Sequence, residues 1–217
     1  MKKLFPLVTT DIALFMIQDR SLRVLMVRRA NEPEFGKWAL PGGILNPGDD
    51  AHLDATAQRV LSGKTGVDVP FLKQVATFSG AARDPRGWSL SVLYYALLPS
   101  DQVHAVAGRA TDAIEWRDAY APGSGLAFDH ADLIEAALAA LRDKVSRAAL
   151  PLHLMPARFT LTELQQTCES ILGRPLDKSV FRRRLKDELC IEQLPGEFLY
   201  GAQRPAQLYR AVDGFRF

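Results

Sequence analysis

Residues Pro41 to Val67 read PGGILNPGDDAHLDATAQRVLSGKTGV and carry the strongest structural pattern in the chain. Its two consecutive glycines, Gly42 and Gly43, let the backbone turn tightly and approach a ligand closely. A Pro-Gly-Asp-Asp turn follows, after which apolar residues recur at helical spacing up to a lysine and a glycine. A basic last turn and a glycine are helix stop signals. The stretch therefore predicts a loop, a helix of about four turns and a glycine C-cap.

This stretch resembles the Nudix box, whose pattern is Gly, five residues, Glu, seven residues, then Arg-Glu-apolar-x-Glu-Glu-x-Gly-apolar. Gly43 and Asp49 match the start of that pattern. Its end is matched at four positions: Arg59, Leu61, Gly66 and Val67. The preceding segment, Trp38-Ala39-Leu40-Pro41-Gly42-Gly43, is similar to the Trp-x-Leu-Pro-Gly-Gly approach of the same family.

The chain departs from the family box in two ways. Nine residues, not seven, separate Asp49 from Arg59. The three glutamates of the family box fall on Val60, Gly63 and Lys64. Carboxylates at i, i+3 and i+4 share one helix face, where they bind divalent cations that polarise a diphosphate and activate water. Because these three residues offer no carboxylate, we expect a Nudix fold that is not an enzyme and holds no metal or other cofactor.

The elements around the box fit a mixed sheet covered by helices. Strands are predicted where β-branched and apolar residues run together, and a helix where leucines and alanines recur at helical spacing. The predicted strands are Val8–Ile17, Leu22–Arg28, Phe71–Phe78, Ser89–Leu98 and Asp112–Trp116, and the predicted helix is Asp129–Val145.

The loop Arg83-Asp84-Pro85-Arg86, followed by an apolar strand with Tyr-Tyr-Ala, is similar to one branch of the Nudix superfamily. That branch is the Nudix-related (NrtR-like) transcriptional regulators of NAD and sugar metabolism. The resemblance implies an anionic effector, namely ADP-ribose or a related nucleotide or sugar phosphate. A solvated turn with a weak local ion pair is the alternative interpretation of this loop. The candidate effector contacts are Arg28, Arg29, Lys37, Gly42, Gly43, Arg83 and Arg86.

The segment Ala148–Arg158 interrupts the preceding helix with Pro151 and Pro156. It predicts a boundary between a domain of residues 1–148 and one of residues 149–217. In the second domain a helix runs to Leu172, with Thr160 and Glu163 as a capping box and Gly173 as its stop. The elements predicted after it are a helix over Lys178–Leu189, capped by Asp177, and strands over Ile191–Leu194 and Gln207–Ala211.

This order of helix, short turn, helix and hairpin is typical of a winged helix-turn-helix. In the second helix we expect Val180, Leu185 and Leu189 to face the core, with Phe181 nearby. The predicted DNA contacts on its exposed face and on the hairpin tip are Lys178, Ser179, Arg182, Arg183, Lys186, Gln203 and Arg204. The segments LGRPLDKSVFRR and RPAQLYR resemble the C-terminal domain of the same regulators. A helical cap with a solvated basic face, used for dimerisation, is the alternative.

Composition bounds the remaining possibilities. The chain has 217 residues, 47% of them apolar and 24% charged, which is ordinary for a globular protein. Its net charge of +2 identifies no partner. No apolar run approaches the roughly 20 residues of a membrane helix. Cys168 and Cys190 lack metal-site spacing, so we expect reduced cysteines in a cytoplasmic protein.

The sequence therefore predicts an α+β protein, a Nudix-type mixed-sheet α/β/α sandwich followed by a winged helix-turn-helix domain. The resemblance implies a homodimeric repressor that binds a double-stranded DNA operator of NAD or sugar metabolism genes and senses ADP-ribose or a similar effector. A first alternative is a diphosphate hydrolase in which Asp49, Asp50 and Asp54 rebuild a metal site. Asp50 and Asp54 would share a helix face if the helix began early enough. A second alternative is a scaffold that only dimerises.

Overall fold

Two sheets organise the protein. The structure is a computed structural model that describes residues 5–66, 69, 71–99, 101–102, 113–147, 150–185, 189–201, 205–215 and 217. A seven-stranded mixed sheet with two long helices forms the N-terminal part. A three-stranded antiparallel sheet with two shorter helices forms the C-terminal part. This is the α+β architecture that the sequence predicts.

The large sheet is built around its first strand. Its strands are β1 (Leu7–Gln18), β2 (Ser21–Arg28), β3 (Trp38–Ala39), β4 (Gly42–Ile44), β5 (Leu72–Gly80), β6 (Ser89–Leu97) and β7 (Ile114–Asp118). They follow the order β3-β2-β1-β6-β5, with β4 paired to β1 and β7 paired to β2. The β1–β6 pair is parallel and the other pairs are antiparallel. The predicted strands are confirmed, with ends shifted by one or two residues.

Helices cover both faces of this sheet, which explains why β1 is apolar and buried from Ile12 to Met16. The first helix is α1 (Leu53–Thr65), and the second is α2 (His130–Ser146). Alternate residues of β1 point to opposite faces. Ile12 and Leu14 join the cluster of α1, whereas Ala13 and Phe15 join the cluster of α2. A strand that is buried on both faces reads as a continuous apolar run.

The C-terminal part contains β8 (Phe159–Thr160), α3 (Leu161–Leu172), α4 (Lys178–Leu185), β9 (Ile191–Leu199) and β10 (Ala206–Ala211), with sheet order β8-β10-β9. The predicted capping box is present, because Thr160 and Glu163 exchange hydrogen bonds between side chains and backbone. Gly173 ends α3 in the left-handed region, at φ 67°. β9 is longer than the predicted strand because it stays paired with β10 as far as Leu199.

The segment between the two parts is packed, not free. Leu150, Leu152, Leu154 and Met155 are buried in one apolar cluster with Phe15 of the large sheet. His153 stacks on Phe71 of the large sheet, with ring centroids 4.6 Å apart, and lies 4.4 Å from the ring of Phe215. The two parts therefore share a continuous core. The predicted boundary between residues 148 and 149 lies outside the described residues and stays a prediction.

Candidate ligand pocket and nucleic-acid interface

A cavity of about 360 Å³ opens beside the Gly-Gly segment of the large sheet. Its walls come from the end of β2, the last turn of α1, the loop of residues 83–86 and the start of α2. This volume suits a small-molecule ligand. Five cationic side chains line it: Arg28, Arg29, Lys64, Arg83 and Arg86. Asp11, Glu32 and Asp84 are the acidic residues of the wall. The cavity is therefore suited to an anion that also carries hydrogen-bond donors.

Six of the seven predicted effector contacts line this cavity, namely Arg28, Arg29, Gly42, Gly43, Arg83 and Arg86. The seventh, Lys37, lies outside it and forms an ion pair with Glu34. Lys37 directly precedes β3. Its position before β3 directs it away from the cavity, so it is not a pocket residue.

The two glycines are required by neighbouring side chains of the protein itself. A Cβ atom at Gly42 would lie 1.9 Å from Oδ1 of Asp11. A Cβ atom at Gly43 would lie 2.6 Å from Cγ2 of Val60. The sequence predicted glycine at these positions for close approach to a ligand. In the structure the close neighbours are a buried aspartate of β1 and a residue of α1.

Two arginines of the cavity are held in place by carboxylates. Arg83 binds both carboxylate oxygens of Asp129, at 2.9 Å each, and also donates to Oγ of Ser89. Arg86 binds the buried Asp84, with 2.7 Å between Nη2 and Oδ2. This hydrogen bond from Arg86 lowers the pKa of Asp84. The predicted local ion pair is therefore present, and it orients a guanidinium group that also lines the cavity.

Burial lowers the pKa of two cavity cations, Arg29 and Lys64. Nε of Arg29 donates to the carbonyl of Pro33 at 2.9 Å, and its guanidinium carbon lies 4.7 Å from the centre of the Phe128 ring. Burial lowers the pKa of Arg29, and the charge of Arg86 lowers it further. Burial likewise lowers the pKa of Lys64, with a further contribution from the charge of Arg29. Positive charges thus accumulate here in a partly dehydrated space.

An aspartate and a histidine that the sequence analysis did not select also line the cavity. Asp11 accepts a hydrogen bond of 2.5 Å from Ser91 and lies 3.7 Å from Nε2 of His130. Nδ1 of His130 accepts from the backbone N–H of Leu40 at 2.8 Å, so neutral His130 carries its proton on Nε2. Burial lowers the pKa of His130. A carboxylate inside the apolar run VTTDIALFMI was the sequence signal that could have identified Asp11.

The carboxylates of the hydrolase alternative are used for other contacts. Asp50 forms a bidentate pair with Arg59, at 2.7 Å for each of two contacts. The side chain of Asp54 accepts from the hydroxyl of Tyr94 at 2.7 Å. The helix begins only at Leu53, after its N-cap His52, so Asp50 and Asp54 do not share a helix face. Within the described ranges, no group of three His, Cys, Asp or Glu side chains could hold a metal ion.

The second helix of the C-terminal part presents a basic surface. The carboxylate of Asp177 accepts from the backbone N–H of Val180 at 2.8 Å, which confirms the predicted cap of α4. Four predicted DNA contacts are exposed on α4: Lys178, Ser179, Arg182 and Arg183. The other three, Lys186, Gln203 and Arg204, lie outside the described residues. This exposed face is suited to contact a polyanion.

The predicted core face of α4 needs a correction. Phe181 and Leu185 are buried, whereas Val180 is 54% exposed and Leu189 is 91% exposed. The described part of α4 ends at Leu185, and Leu189 lies in a turn before β9. Residues four apart share a helix face, so burying Phe181 and Leu185 turns Val180 outward. The core prediction was wrong for Val180 and Leu189 and right for Leu185.

Side chains of the large-sheet part hold the C-terminal end of α3. The hydroxyl of Tyr120 donates to the carbonyls of Ser170 and Ile171. Nη2 of Arg142, from α2, lies 3.4 Å from the carbonyl of Leu172. The hydroxyl of Ser170 donates to the carbonyl of Arg20 at 2.8 Å. The last carbonyls of a helix have no partner within it, so these contacts fix α3 against the first part.

No helix in the described ranges has the length and apolarity needed to cross a membrane.

Comparison with known proteins assigns both parts. The family model of the NUDIX domain matches residues 8–134, and the model of the NrtR DNA-binding winged helix domain matches residues 151–211. The ADPR responsive transcriptional repressor NtrR of Acinetobacter baylyi is 44% identical over 214 residues. That alignment covers 98% of this chain and 85% of the relative.

Solved structures extend this likeness to the whole fold. The structure of Shewanella oneidensis NrtR complexed with a 27mer DNA superposes with a TM-score of 0.83 at 35% identity, covering 94% of this chain and 93% of that chain. The NUDIX domain of the same protein complexed with ADP ribose superposes with a TM-score of 0.57 at 36% identity, covering 64% of this chain and 90% of that one. The chain therefore belongs to the NrtR family, in which a Nudix domain precedes an NrtR winged helix DNA-binding domain.

Proposed function

We propose that this protein is a transcriptional repressor that responds to ADP-ribose, which binds in the Nudix-domain cavity while the winged helix domain binds operator DNA. One observation supports this function most directly. A cationic cavity lies beside a Nudix box without its metal-binding glutamates, in the same chain as a helix with exposed Arg182 and Arg183. The Acinetobacter relative is named as an ADPR responsive repressor, and the Shewanella protein was crystallised with DNA and with ADP ribose.

The cavity supports a diphosphate ligand through preoriented arginines. Guanidinium groups bind phosphate oxygens in pairs, and less entropy is lost when their orientation is already fixed. Arg83 and Arg86 are fixed in this way by Asp129 and Asp84. The predicted contacts that line the cavity remain our proposed effector contacts, and we add Lys64 and Asp11 to them. Lys37 is left out.

We propose that the ligand is bound without hydrolysis. The three positions that hold metal ions in the family box carry Val60, Gly63 and Lys64. Two of the three aspartates named by the hydrolase alternative, Asp50 and Asp54, already bind Arg59 and Tyr94. Rebuilding a metal site from them would require breaking both contacts. The hydrolase alternative is therefore the weaker one.

On the DNA side, α4 is the proposed recognition helix. Basic and hydroxyl side chains on one exposed helix face suit phosphates and guanine edges. Lys178, Ser179, Arg182 and Arg183 provide them, and we keep Lys186, Gln203 and Arg204 in the proposal as further contacts. We also propose that the protein binds two DNA half-sites as a homodimer. Its proposed location is the cytoplasm, and its proposed targets are NAD or sugar metabolism genes. The proposed domains are residues 1–148 and 149–217.

We propose that α2 and the loop before it transmit the effector signal. His130, the first residue of α2, lines the cavity, and Arg142 of the same helix contacts the end of α3. The loop from Tyr120 to Phe128 also connects the cavity with α3, since Tyr120 donates a hydrogen bond to the end of α3 and Phe128 lines the cavity. A ligand that shifts this segment changes how α3 and α4 are held. The coupling is reciprocal, so DNA also changes effector affinity.

The test is fluorescence anisotropy with labelled DNA from upstream of the gene and its neighbours. It is run at two salt concentrations, with and without ADP-ribose, and AMP serves as the control ligand. We expect specific binding that falls steeply with salt and that ADP-ribose weakens but AMP does not. Binding that is indifferent to ADP-ribose would redirect the search for the effector to sugar phosphates. Absence of specific binding would contradict the proposal and favour the scaffold or hydrolase alternatives.

A further inference from the structure

The last turn of α1 contains a reversal of charge relative to the Nudix family. Where the family pattern has a metal-binding glutamate, this chain has Lys64, and its side chain lines the cavity. At the two other positions, Val60 is buried against Gly43 and Gly63 has open space around its Cα. The donor set therefore does not fit a divalent cation, which requires oxygen ligands. An ammonium group stands at one of the positions that would supply them.

The positive charge at this end of the cavity is not matched by an ion-paired carboxylate from the described part of the chain. Arg83 and Arg86 are paired with Asp129 and Asp84. Among the described residues, no carboxylate lies within ion-pair distance of Arg29 or Lys64. Asp11, whose charge acts on Lys64 across the cavity, accepts from Ser91 and lies 3.7 Å from Nε2 of His130.

Two like charges that form no ion pair with a described carboxylate repel each other in a partly dehydrated space, and an anion relieves that repulsion. Burial lowers the pKa of Lys64 and the charge of Arg29 lowers it further, as expected for two cations that line the same partly dehydrated cavity. Lysine is a compact point charge with three donors and a flexible stem, which suits phosphate oxygens. The geometry thus contains an anion subsite at the position where the family carries its metal-binding glutamates.

We propose that Lys64, together with Arg29, binds the diphosphate of the effector in the role that a divalent cation has in Nudix hydrolases, which makes effector binding independent of metal. This inference rests on the proposed function for the identity of the effector, but not for the diphosphate subsite. An ammonium group neutralises phosphate charge and donates hydrogen bonds. Unlike a metal ion, it does not lower the pKa of a bound water into the neutral range. The substitution therefore accounts for binding without hydrolysis.

Calorimetric titration of the full-length chain tests the subsite with two ligands, ADP-ribose and inorganic pyrophosphate, each with excess EDTA and with excess Mg²⁺. The variants are Lys64→Gln, which removes the charge, and Lys64→Arg, which keeps it. Lys73→Gln, at an exposed position on β5, is the matched control. Thermal unfolding of each variant verifies that it is folded.

We expect wild-type binding of both ligands to persist in EDTA. Lys64→Gln should weaken both by about ten- to a hundredfold, the range for a hydrogen bond to a charged group. Lys64→Arg should restore most of the affinity, and Lys73→Gln should change nothing. Pyrophosphate binding that depends on Lys64 without any ADP-ribose binding would keep the subsite and reject the proposed effector. Wild-type affinity in Lys64→Gln, loss of binding in EDTA, or no binding of either ligand would overturn the inference.

Discussion

The two basic regions of this molecule hold their arginines in opposite ways. In the cavity, Arg83 and Arg86 are each tied to a carboxylate, and the Arg83 side chain is only 10% exposed. On α4, Arg182 and Arg183 are exposed to solvent. A small ligand offers few contacts, so fixing its partners beforehand limits the entropy lost on binding. DNA offers a continuous row of phosphates, so exposed and adaptable side chains suffice there. The two sites therefore differ in whether carboxylates hold their arginines in place, and this distinguishes them better than the number of arginines does.

Arg182 and Arg183 of α4 are exposed only if the opposite face of the helix packs into the core. Phe181→Ala should destabilise the protein by about 3–5 kcal/mol, because it deletes a buried aromatic ring and leaves a cavity. Val180→Ala, at the adjacent exposed position, should change stability by less than about 0.5 kcal/mol. Urea unfolding followed by circular dichroism measures both. Equal effects of the two substitutions would contradict the observed orientation of α4.

The fixed arginines should matter for the small ligand and not for DNA. Arg86→Ala should weaken ADP-ribose binding by about 1.5–3 kcal/mol, the range for a charged hydrogen bond, and leave DNA affinity without ligand unchanged. Arg147→Ala, at an exposed arginine at the end of α2, is the control for loss of one positive charge. Anisotropy titrations of the repressor–DNA complex with ADP-ribose measure the response. An unchanged titration curve would remove Arg86 from the site.

The exposed arginines should show the opposite behaviour. Arg182→Ala and Arg183→Ala should each weaken operator binding by about 1–3 kcal/mol, or lower the salt slope by about one if the contact is to phosphate. Both should leave ADP-ribose binding and thermal stability unchanged, since neither side chain is buried. The same Arg147→Ala control applies. If both variants bound the operator normally, α4 would not be the recognition helix.

The smallest effect is expected at the contact between Tyr120 and the end of α3, which connects the cavity side with the DNA-binding side. Tyr120→Phe removes the hydroxyl that donates to the carbonyls of Ser170 and Ile171. It should cost about 0.5–1.5 kcal/mol of stability, the net contribution of a typical hydrogen bond. It should also reduce the ratio of DNA affinities measured without and with ADP-ribose. Tyr200→Phe, at a ring that is 75% exposed, is the stability control. An unchanged ratio would exclude Tyr120 from the coupling.

Local patterns were sufficient for most of the secondary structure. The cap of α3 and the glycine ends of α1 and α3 depend on residues within one helical turn, so the sequence contains their whole cause. The apolar run of β1 from Ile12 to Met16 agrees with its central place in the sheet, because a strand covered on both faces reads as a continuous apolar run. For α4 the local pattern was ambiguous. The prediction turned Val180, Leu185 and Leu189 toward the core, whereas packing against the rest of the domain buries Phe181 and Leu185.

The cavity was only partly predictable, for a related reason. Arg83 and Arg86 stood out because their loop resembles a family motif, and Arg28 and Arg29 because they leave a strand beside the box. Asp11 and His130 did not stand out. They come from β1 and from the start of α2, more than a hundred residues apart, and they meet only when the sheet and helix pack together.

The family fold, the loss of the metal-binding glutamates and the positions of the basic segments can all be read from the sequence. Each of these depends on residue type at fixed local spacing. Tertiary structure alone decided which cations face the same cavity, which of them have a carboxylate partner, and which side chains join the two domains. Those properties depend on distances between residues far apart in the chain. Arg83 pairs with Asp129, whereas Lys64 forms no ion pair with a carboxylate of the described residues. Both facts depend on such long-range distances.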